Sequence, residues 1–277
     1  MGIISFFSRF TSMLTFPLVY LYHKAHITCG VQPYGLCIAL GILAVLYALR
    51  TDPVISQRIT YDQLMFFTSI TMLTIVIGSR ALFIYENWQE LDSYAEIFAL
   101  TEGGFSVQGG TLATCIVLPL MLHKHKIPVL LVLDRIFNIF LVYGIARLGC
   151  FFAGCCYGTP SHLPWSITYT NLESLAPCFI PLHPTQLYSS IMALSLFLFF
   201  KQVLHFVFKK PGQLFGLFLC ALGFERFFID FFRADFFCFL YTLSLHQIIA
   251  LLISSTGFIM FLWATHHNPA SKSSIKP

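Results

Sequence analysis

Long runs of apolar residues are the feature that most constrains how this chain can fold. About seven such runs occur along the sequence, several of them near the ~20 residues that a helix needs to cross a bilayer. Lipid offers the backbone no hydrogen-bond partners, and a helix satisfies its own. Of the 277 residues, 57% are hydrophobic and 10% charged, and the mean hydropathy is +0.78. The sequence therefore predicts an all-α integral membrane protein without a soluble domain.

The predicted transmembrane helices belong to a single membrane domain that covers residues 1–277. Neither an internal repeat nor a long linker divides the chain, and the third run is short for a bilayer. A large loop, residues 152–189, separates the fourth and fifth helices. The seven predicted helices cover residues 33–49, 63–85, 109–122, 128–151, 190–208, 212–229 and 246–265.

The N-terminal segment is also apolar, but it does not resemble a removable signal peptide. Arg9 interrupts it, Pro17 lies inside it, and no small-residue cleavage site follows. We expect residues 1–25 to lie at the membrane interface. An eighth span is the alternative, and it would invert the topology of the N-terminus.

The distribution of lysine and arginine predicts the orientation, because short positively charged loops stay in the cytoplasm. Four clusters are predicted to be cytoplasmic: Arg50 with Arg58, Lys124 with Lys126, Lys201 with Lys209 and Lys210, and Lys272 with Lys276. Acidic residues dominate the opposite loops: Glu86, Glu90, Asp92, Glu96, Glu102, Glu173 and Asp235. We expect the N-terminus outside, the C-terminus in the cytoplasm, and loop 152–189 on the outer face.

Three arginines depart from this pattern, since Arg80, Arg147 and Arg226 each lie at the predicted outer end of a helix. A charge near hydrocarbon costs roughly 2.5 to 3.5 kcal/mol, so it indicates a functional site by default. Arginine also presents a planar fork of donors that matches phosphate oxygens. We expect Arg147 and Arg226 to bind an anionic group. Structural ion pairs with Glu225 or Asp230 are the alternative for Arg226.

A glycine-rich segment, EGGFSVQGGT at 102–111, precedes the third predicted helix. The free amides of a helix N-terminus favour anions. Glycines such as Gly109 and Gly110 would allow the backbone to approach a ligand closely. This segment is therefore a second candidate for substrate binding.

Five segments, in consistent order, resemble the prolipoprotein diacylglyceryl transferase family over most of the chain from about Pro33 onward. The resemblance implies an enzyme of the bacterial inner membrane that moves a diacylglyceryl group from phosphatidylglycerol to a cysteine thiol of a lipoprotein precursor. Its expected partners are phosphatidylglycerol, the lipoprotein-precursor signal segment and membrane lipids, with no cofactor, metal or nucleic acid. The segments are PYGL at 33–36, EGGFSVQGG at 102–110, RLGCFFAGCCYG at 147–158, LHPTQLY at 182–188 and ERFFIDFFRAD at 225–235.

The same resemblance implies a role for individual residues. The expected catalytic residues are Arg226, Tyr34 and Gln108, and the expected substrate-binding residues are Arg147, Gly109, Gly110, Gly158, His183 and Gln186.

This chain departs from the family pattern at several of these positions. Gln108 stands where the family has the histidine that serves as base, and His183 is the nearest substitute on the outer face. Cys150 and Ala153 stand where the family signature has asparagine, and Cys155 where it has glutamate. The alternative function is a catalytically silent paralogue that binds an anionic phospholipid head group. In the alternative interpretation of the loop, His183 and Gln186 simply hydrogen-bond its backbone.

The nine cysteines fall into two groups. Five are scattered and are predicted to be small buried apolar residues: Cys29, Cys37, Cys115, Cys220 and Cys238. The other four, Cys150, Cys155, Cys156 and Cys178, are predicted to face an oxidising compartment, which favours a disulfide between Cys178 and one of the adjacent pair. A four-cysteine metal site is less favoured because C-x-x-C pairs are lacking. A reactive thiol relay through Cys155 is the third option.

Overall fold

The computed structural model describes residues 33–88, 104–172, 174–234, 238–240 and 243–267. Several sequence predictions fall outside these residues. They are the interfacial segment 1–25, Cys29, the acidic residues Glu90, Asp92, Glu96, Glu102, Glu173 and Asp235, and the C-terminal Lys272 and Lys276. Those predictions remain as stated above.

Long α-helices make up most of the described chain. Helical structure covers each predicted apolar run, although the fourth and fifth runs are each divided between two α-helices and an intervening turn. The helices are α1 (Pro33–Arg50), α2 (Pro53–Ser56), α3 (Tyr61–Glu86), α4 (Val107–Lys124), α5 (Val129–Leu133), α6 (Ile139–Ala153), α7 (Thr185–Phe199), α8 (His205–Val207), α9 (Gln213–Asp230) and α10 (Leu245–His266). A 3-10 turn, Ile136–Asn138, precedes α6, and a π-helical turn, Phe200–Leu204, follows α7.

Within the described residues, four helical segments are long and apolar enough to cross a membrane: Tyr61–Glu86, Val129–Ala153, Thr185–Val207 and Leu245–His266. A shorter apolar helix covers Tyr34–Arg50. Helix α9 carries Glu225, Arg226 and Asp230 within 18 residues. The all-α membrane class is confirmed, while the count of seven spans and the outward orientation of the large loop remain predictions.

Side-chain caps fix where several of these helices begin. Thr60 and Gln63 form a reciprocal capping box at the start of α3, and Ser244 and Gln247 form another at the start of α10. Such pairs satisfy amides that the first helical turn leaves without partners. The Asp134 carboxylate accepts hydrogen bonds from the backbone amides of Gly212 (2.8 Å) and Phe215 (3.0 Å). A negative charge there also favours the positive end of the α9 dipole.

The described chain divides into two compact units, and the smaller comprises residues 49–132. In this smaller unit, α3 packs against α4 so closely at Gly109 that no larger residue would fit there. A Cβ at Gly109 would collide with the carbonyl oxygen of Gly78 and would lie 2.6 Å from the Cβ of Leu82. The sequence interpretation assigned Gly109 to close approach of a ligand, whereas its contacts are those of helix packing.

The larger unit contains residues 33–48 and the described residues from Leu133 onward. Its main hydrophobic cluster joins α6, α7 and α9 and is rich in aromatic rings. Phe140 and Phe218 meet at a centroid separation of 5.0 Å, and Phe137 stacks on Phe200 at 5.5 Å. The buried members are Phe137, Phe140, Ala193, Phe197, Phe200, Leu214 and Phe218. This cluster holds together the helices that carry Arg147 and Arg226.

The loop between α6 and α7 is shorter than predicted, because α7 already begins at Thr185. The predicted boundary followed hydropathy, but the first turn of α7 is polar and buried. The loop contains β1 (Ile167–Thr168), which pairs antiparallel with β2 (Pro181–Leu182). A second small pair joins β3 (Cys238–Leu240) and β4 (Leu243–Ser244).

The packing at Gly109 generates a stability prediction. We expect Gly109→Val to lower the midpoint of thermal unfolding in detergent, since overpacking typically costs about 1–3 kcal/mol. The matched control is Gly35→Ala, where an added Cβ meets nothing within 4 Å. Equal midpoints for wild type and Gly109→Val would contradict the close approach of α3 and α4.

Candidate functional site

Arg147 and Arg226 line the same cavity in the larger unit, one from α6 and the other from α9. The cavity has a volume of about 280 Å³, near the lower end of the range for small-molecule sites. Its other lining residues are Tyr143, Leu222, Gly223, Glu225, His246, Ile249, Ala250 and Ile253. Two cationic residues of the five resembling segments are therefore brought together.

The Arg147 guanidinium is held through Tyr143. Nη2 of Arg147 donates a hydrogen bond of 2.6 Å to the Tyr143 hydroxyl oxygen, and its Cζ lies 4.7 Å from the centroid of the Tyr143 ring. The Tyr143 hydroxyl lies 3.3 Å from both carboxylate oxygens of Glu225. Ser189 donates to the same carboxylate at 2.8 Å. Glu225, which is 1% exposed, thus supplies an acidic group to Arg147 through one intervening hydroxyl.

Arg147 also retains an unused donor, since its Nε is buried and has no hydrogen-bond partner. An unpaired buried donor costs roughly 1–3 kcal/mol, so it calls for an explanation. A bound anion would satisfy it. The sequence interpretation of Arg147 as an anion-binding residue is consistent with this observation.

Arg226 interacts with Asp230 one turn later on α9, with Nη2 of Arg226 3.3 Å from Oδ1 of Asp230. Ser244, at the start of α10, donates to the other carboxylate oxygen of Asp230. The ion pair that the sequence left as an alternative is therefore present. It does not bury the arginine completely, because 27% of the Arg226 side chain stays exposed.

The turn after α6 brings three cysteines together. Helix α6 ends at Ala153 and is capped by Gly154, which is in the left-handed region at φ +74°. Cys156 is also left-handed, at φ +57°. The sulfur atoms of Cys150, Cys155 and Cys156 lie within 4.8 Å of one another. Hydrogen bonds from the thiols of Cys150 and Cys155 lower the pKa of the Cys156 thiol, and so do the positive charges of Arg233 and Arg147.

The expected disulfide between Cys178 and the adjacent pair is contradicted by this arrangement. All described cysteine side chains are free thiols, and Cys178 donates to the carbonyl oxygen of Asn171 at 3.1 Å. An isolated β-bridge between the backbones of Tyr169 and Cys178 fixes that segment of the loop. Of the scattered cysteines that were predicted to be buried, Cys115 is exposed on α4, and Cys37 and Cys220 are only partly buried. A small apolar side chain gains little from complete burial.

Residues Gln186 and Gly158 hold this turn in place. Gln186 is 1% exposed, and its Nε2 donates to the carbonyl oxygen of Cys155 at 2.8 Å. A Cβ at Gly158 would lie 2.6 Å from the carbonyl oxygen of His183. For Gln186, the contact with Cys155 favours the alternative interpretation in which it hydrogen-bonds the loop backbone. Contact of Gln186 and Gly158 with substrate remains a prediction.

His183 lies in a small polar cluster on the same loop. Its Nδ1 is 3.3 Å from the Tyr188 hydroxyl oxygen, and Trp165 donates to that oxygen from Nε1 at 2.7 Å. Partial burial lowers the pKa of His183 below its ordinary value. The imidazole is therefore neutral at pH 7, and a ring nitrogen is able to accept a proton.

Tyr34 is the predicted site residue on α1. It is 40% exposed and packs against the last turns of α6, where a Cβ at Gly149 would lie 3.1 Å from its Cα. Tyr34 thus lies beside the segment that carries Arg147 and Cys150.

The smaller unit contains Gln108, Gly109, Gly110 and Arg80. Gln108 is exposed at the start of α4, where its Oε1 accepts a hydrogen bond of 3.0 Å from Ser106 Oγ. Gly109 and Gly110 are buried in the helix packing described above. Arg80 is 8% exposed and donates to the carbonyl oxygen of Gly104 at 2.9 Å. Arg80 therefore supports the backbone of the glycine-rich segment.

Comparison with known proteins agrees with the resemblance in the five segments. The profile of the prolipoprotein diacylglyceryl transferase family matches residues 24–263. The chain belongs to this family. A phosphatidylglycerol-prolipoprotein diacylglyceryl transferase of Clostridium tetani is 33% identical over 231 residues, which are 82% of this chain and 91% of the relative. A Clostridium perfringens protein of that name, numbered 2, is 31% identical, covering 83% and 90%. One from Nitrosospira multiformis is 31% identical, covering 85% and 83%.

Three residues of the cavity network were missed by the sequence interpretation: Tyr143, Ser189 and His246. Tyr143 precedes Arg147 by one helical turn, a spacing that could have indicated their contact. Ser189 lies one residue beyond the LHPTQLY segment. His246 lies in the first turn of α10, and no local pattern links it to the arginines.

Proposed function

We propose that this protein transfers the diacylglyceryl group of phosphatidylglycerol to the thiol of a lipoprotein-precursor cysteine. The observation that carries the proposal is the convergence of Arg147 and Arg226 on one cavity, in a chain whose relatives are named for that reaction. In the reaction, the thiol sulfur bonds to the glyceryl carbon as its carbon–oxygen bond to phosphate breaks. Glycerol phosphate leaves, and the thiol proton passes to a base.

Negative charge accumulates on the leaving phosphate in this step, and the two arginines would stabilise it. A guanidinium remains protonated and donates in a fixed plane that matches phosphate oxygens. Tyr143 orients the Arg147 guanidinium from one side. The buried Nε of Arg147 remains available for a phosphate oxygen. Preorganised donors in a water-poor site are worth about 2.7–4 kcal/mol of barrier each.

The remaining assignments extend the same proposal. Tyr34 and Gln108 complete the catalytic set, and Gly158, His183 and Gln186 complete the substrate-binding set. Gly109 and Gly110 contribute through the close packing of α3 against α4 and not by contact with the substrate. Gln186 acts mainly by holding the turn after α6, and the backbone of His183 holds Gly158, just beyond that turn. The protein would work at the outer face of the bacterial inner membrane, with seven spans, the N-terminus outside and the C-terminus in the cytoplasm.

The first functional prediction concerns the phosphate-binding arginines. We expect Arg147→Ala and Arg226→Ala each to lower the rate of transfer from labelled phosphatidylglycerol to a lipoprotein-type peptide by about 10²–10³-fold. Arg147→Lys should also fail substantially, because an ammonium cannot reproduce the planar fork. Arg58→Ala, at an exposed residue predicted to be cytoplasmic, is the control and should retain wild-type rates.

Three outcomes would separate the role of charge from that of geometry and test the proposal itself. Wild-type activity in Arg147→Lys would show that only the positive charge matters there. Wild-type activity in Arg147→Ala would remove the phosphate-binding role. If the unaltered protein transfers no label under any condition, the transfer function is wrong.

The second prediction addresses Gln108, which cannot act as a base. The rate should then follow ionisation of the acceptor thiol and rise with pH toward about 8.5. We expect Gln108→His to raise the rate at neutral pH, since a positioned general base contributes about 10²–10⁴-fold. The measurement is a pH-rate profile of both proteins with one peptide acceptor.

A flat wild-type profile near neutrality would instead indicate that another base is present. His246 is then the first residue to replace by asparagine, because it lines the cavity with both arginines. His183→Asn provides the matched comparison in the loop.

The third prediction concerns topology. Reporter fusions after Lys126 and Lys210 should indicate the cytoplasm, and a fusion at Ser174 should indicate the outside. A cytoplasmic signal at Ser174 would contradict the assignment of the loop to the outer face.

A further inference from the structure

The cysteine cluster after α6 has no part in the transfer reaction as described, and its geometry points to a different chemistry. We propose that Cys150, Cys155 and Cys156 form a trithiolate site for one soft, thiophilic metal ion, Zn²⁺ or Cu⁺. Thiolates are the ligands that select these two ions in proteins.

The spacing of the sulfur atoms fits such an ion. All three lie within 4.8 Å of one another. A Zn–S bond of about 2.3 Å places the sulfurs of a tetrahedral site about 3.8 Å apart. Closing from the observed separation requires only small rotations of three short side chains.

The backbone of the turn is already fixed around this arrangement. Gln186 Nε2 holds the carbonyl oxygen of Cys155 at 2.8 Å, and Thr185 Oγ1 holds that of Cys156 at 2.7 Å. Both donors belong to the buried first turn of α7. The left-handed backbone of Gly154 and Cys156 reverses the chain immediately after α6. The last two thiols are thereby returned to Cys150, which is buried in the final turn of α6.

Positive charge close to the cluster would offset part of the negative charge of such a site. Three thiolates carry a net charge of −1 with Zn²⁺ and −2 with Cu⁺. Arg147 and Arg233 are both close enough to Cys156 to interact with it electrostatically. Arg233 is 7% exposed and is fixed by a bridge between its backbone and that of Gly158. Buried charges require such compensation.

Cys178 belongs to a different part of the loop, which makes the site a three-cysteine site and not the four-cysteine site considered from the sequence. Its sulfur is engaged with the carbonyl oxygen of Asn171. A fourth position on the metal therefore remains open to water or another small ligand, as in metal sites that exchange ligands. The proposed metal site does not depend on the diacylglyceryl transfer function.

The test uses the full-length protein in detergent, reduced and freed of metal, with Zn²⁺ or buffered Cu⁺ added in separate arms. Bound metal is measured after gel filtration, and the alkylation rate of each cysteine is measured by mass spectrometry. We expect one ion per chain and at least tenfold slower alkylation of Cys150, Cys155 and Cys156, with Cys178 unaffected. The arm with the tighter binding identifies the ion.

Variants supply the second measurement. Serine at any one of Cys150, Cys155 or Cys156 should weaken metal binding by tenfold or more, whereas Cys178→Ser and Cys115→Ser should bind like wild type. Equal binding by the triple serine variant would overturn the proposal, and so would the absence of alkylation protection in the wild type. A disulfide within the trio, in protein whose thiols were trapped by alkylation in the membrane, would also overturn it.

Discussion

The buried Glu225 carboxylate is the group on which the arrangement of the candidate site depends. Burying a carboxylate is costly unless it is hydrogen-bonded and balanced by a positive charge. Here Ser189 donates to it from α7, and Tyr143 connects it to Arg147 on α6. Residues of α6, α7 and α9 are therefore connected through the one Glu225 carboxylate. Removal of any member would leave another buried and unsatisfied, so the network specifies one packing of α6, α7 and α9.

The same network explains how a guanidinium remains ready for an anion without being neutralised. A direct ion pair with Glu225 would occupy the donor fork of Arg147 and reduce its positive potential. The intervening Tyr143 hydroxyl instead holds one guanidinium nitrogen at 2.6 Å and leaves Nε without a partner. Arg226, paired directly with Asp230, retains 27% exposure. Both arginines are thus oriented before substrate arrives, so that reorganisation during the reaction is avoided.

The sequence was sufficient for the class of fold and for the two arginines, and insufficient for what surrounds them. Hydropathy locates helices because the bilayer imposes one solution on an apolar run, but it missed the start of α7, where Thr185 and Gln186 are buried yet polar. Arg147 and Arg226 were identifiable because charge is rare in such runs. Their meeting with His246 depends on how α6, α9 and α10 pack, which no local spacing encodes. At Gly109, the glycine indicated that another group approaches the backbone closely. The sequence did not indicate that this group is helix α3, at Gly78.

The cysteines of the turn after α6 connect the departures from the family pattern with the electrostatics of the site. Cys155 stands where the resembling signature has glutamate, so an acidic group is missing near Arg147. Glu225 compensates through Tyr143, but from α9 and not from the turn itself. In the proposed trithiolate site, the thiolate sulfurs would supply the negative charge that the absent glutamate does not. Arg147 and Arg233 would offset that charge. Occupancy by metal would then change the potential felt by Arg147 and hence its affinity for phosphate. A metal-dependent change in the KM for phosphatidylglycerol is the consequence that connects the two sites, because Cys150 and Arg147 share the last turns of α6. The change should be absent in Cys150→Ser, since that variant loses a metal ligand.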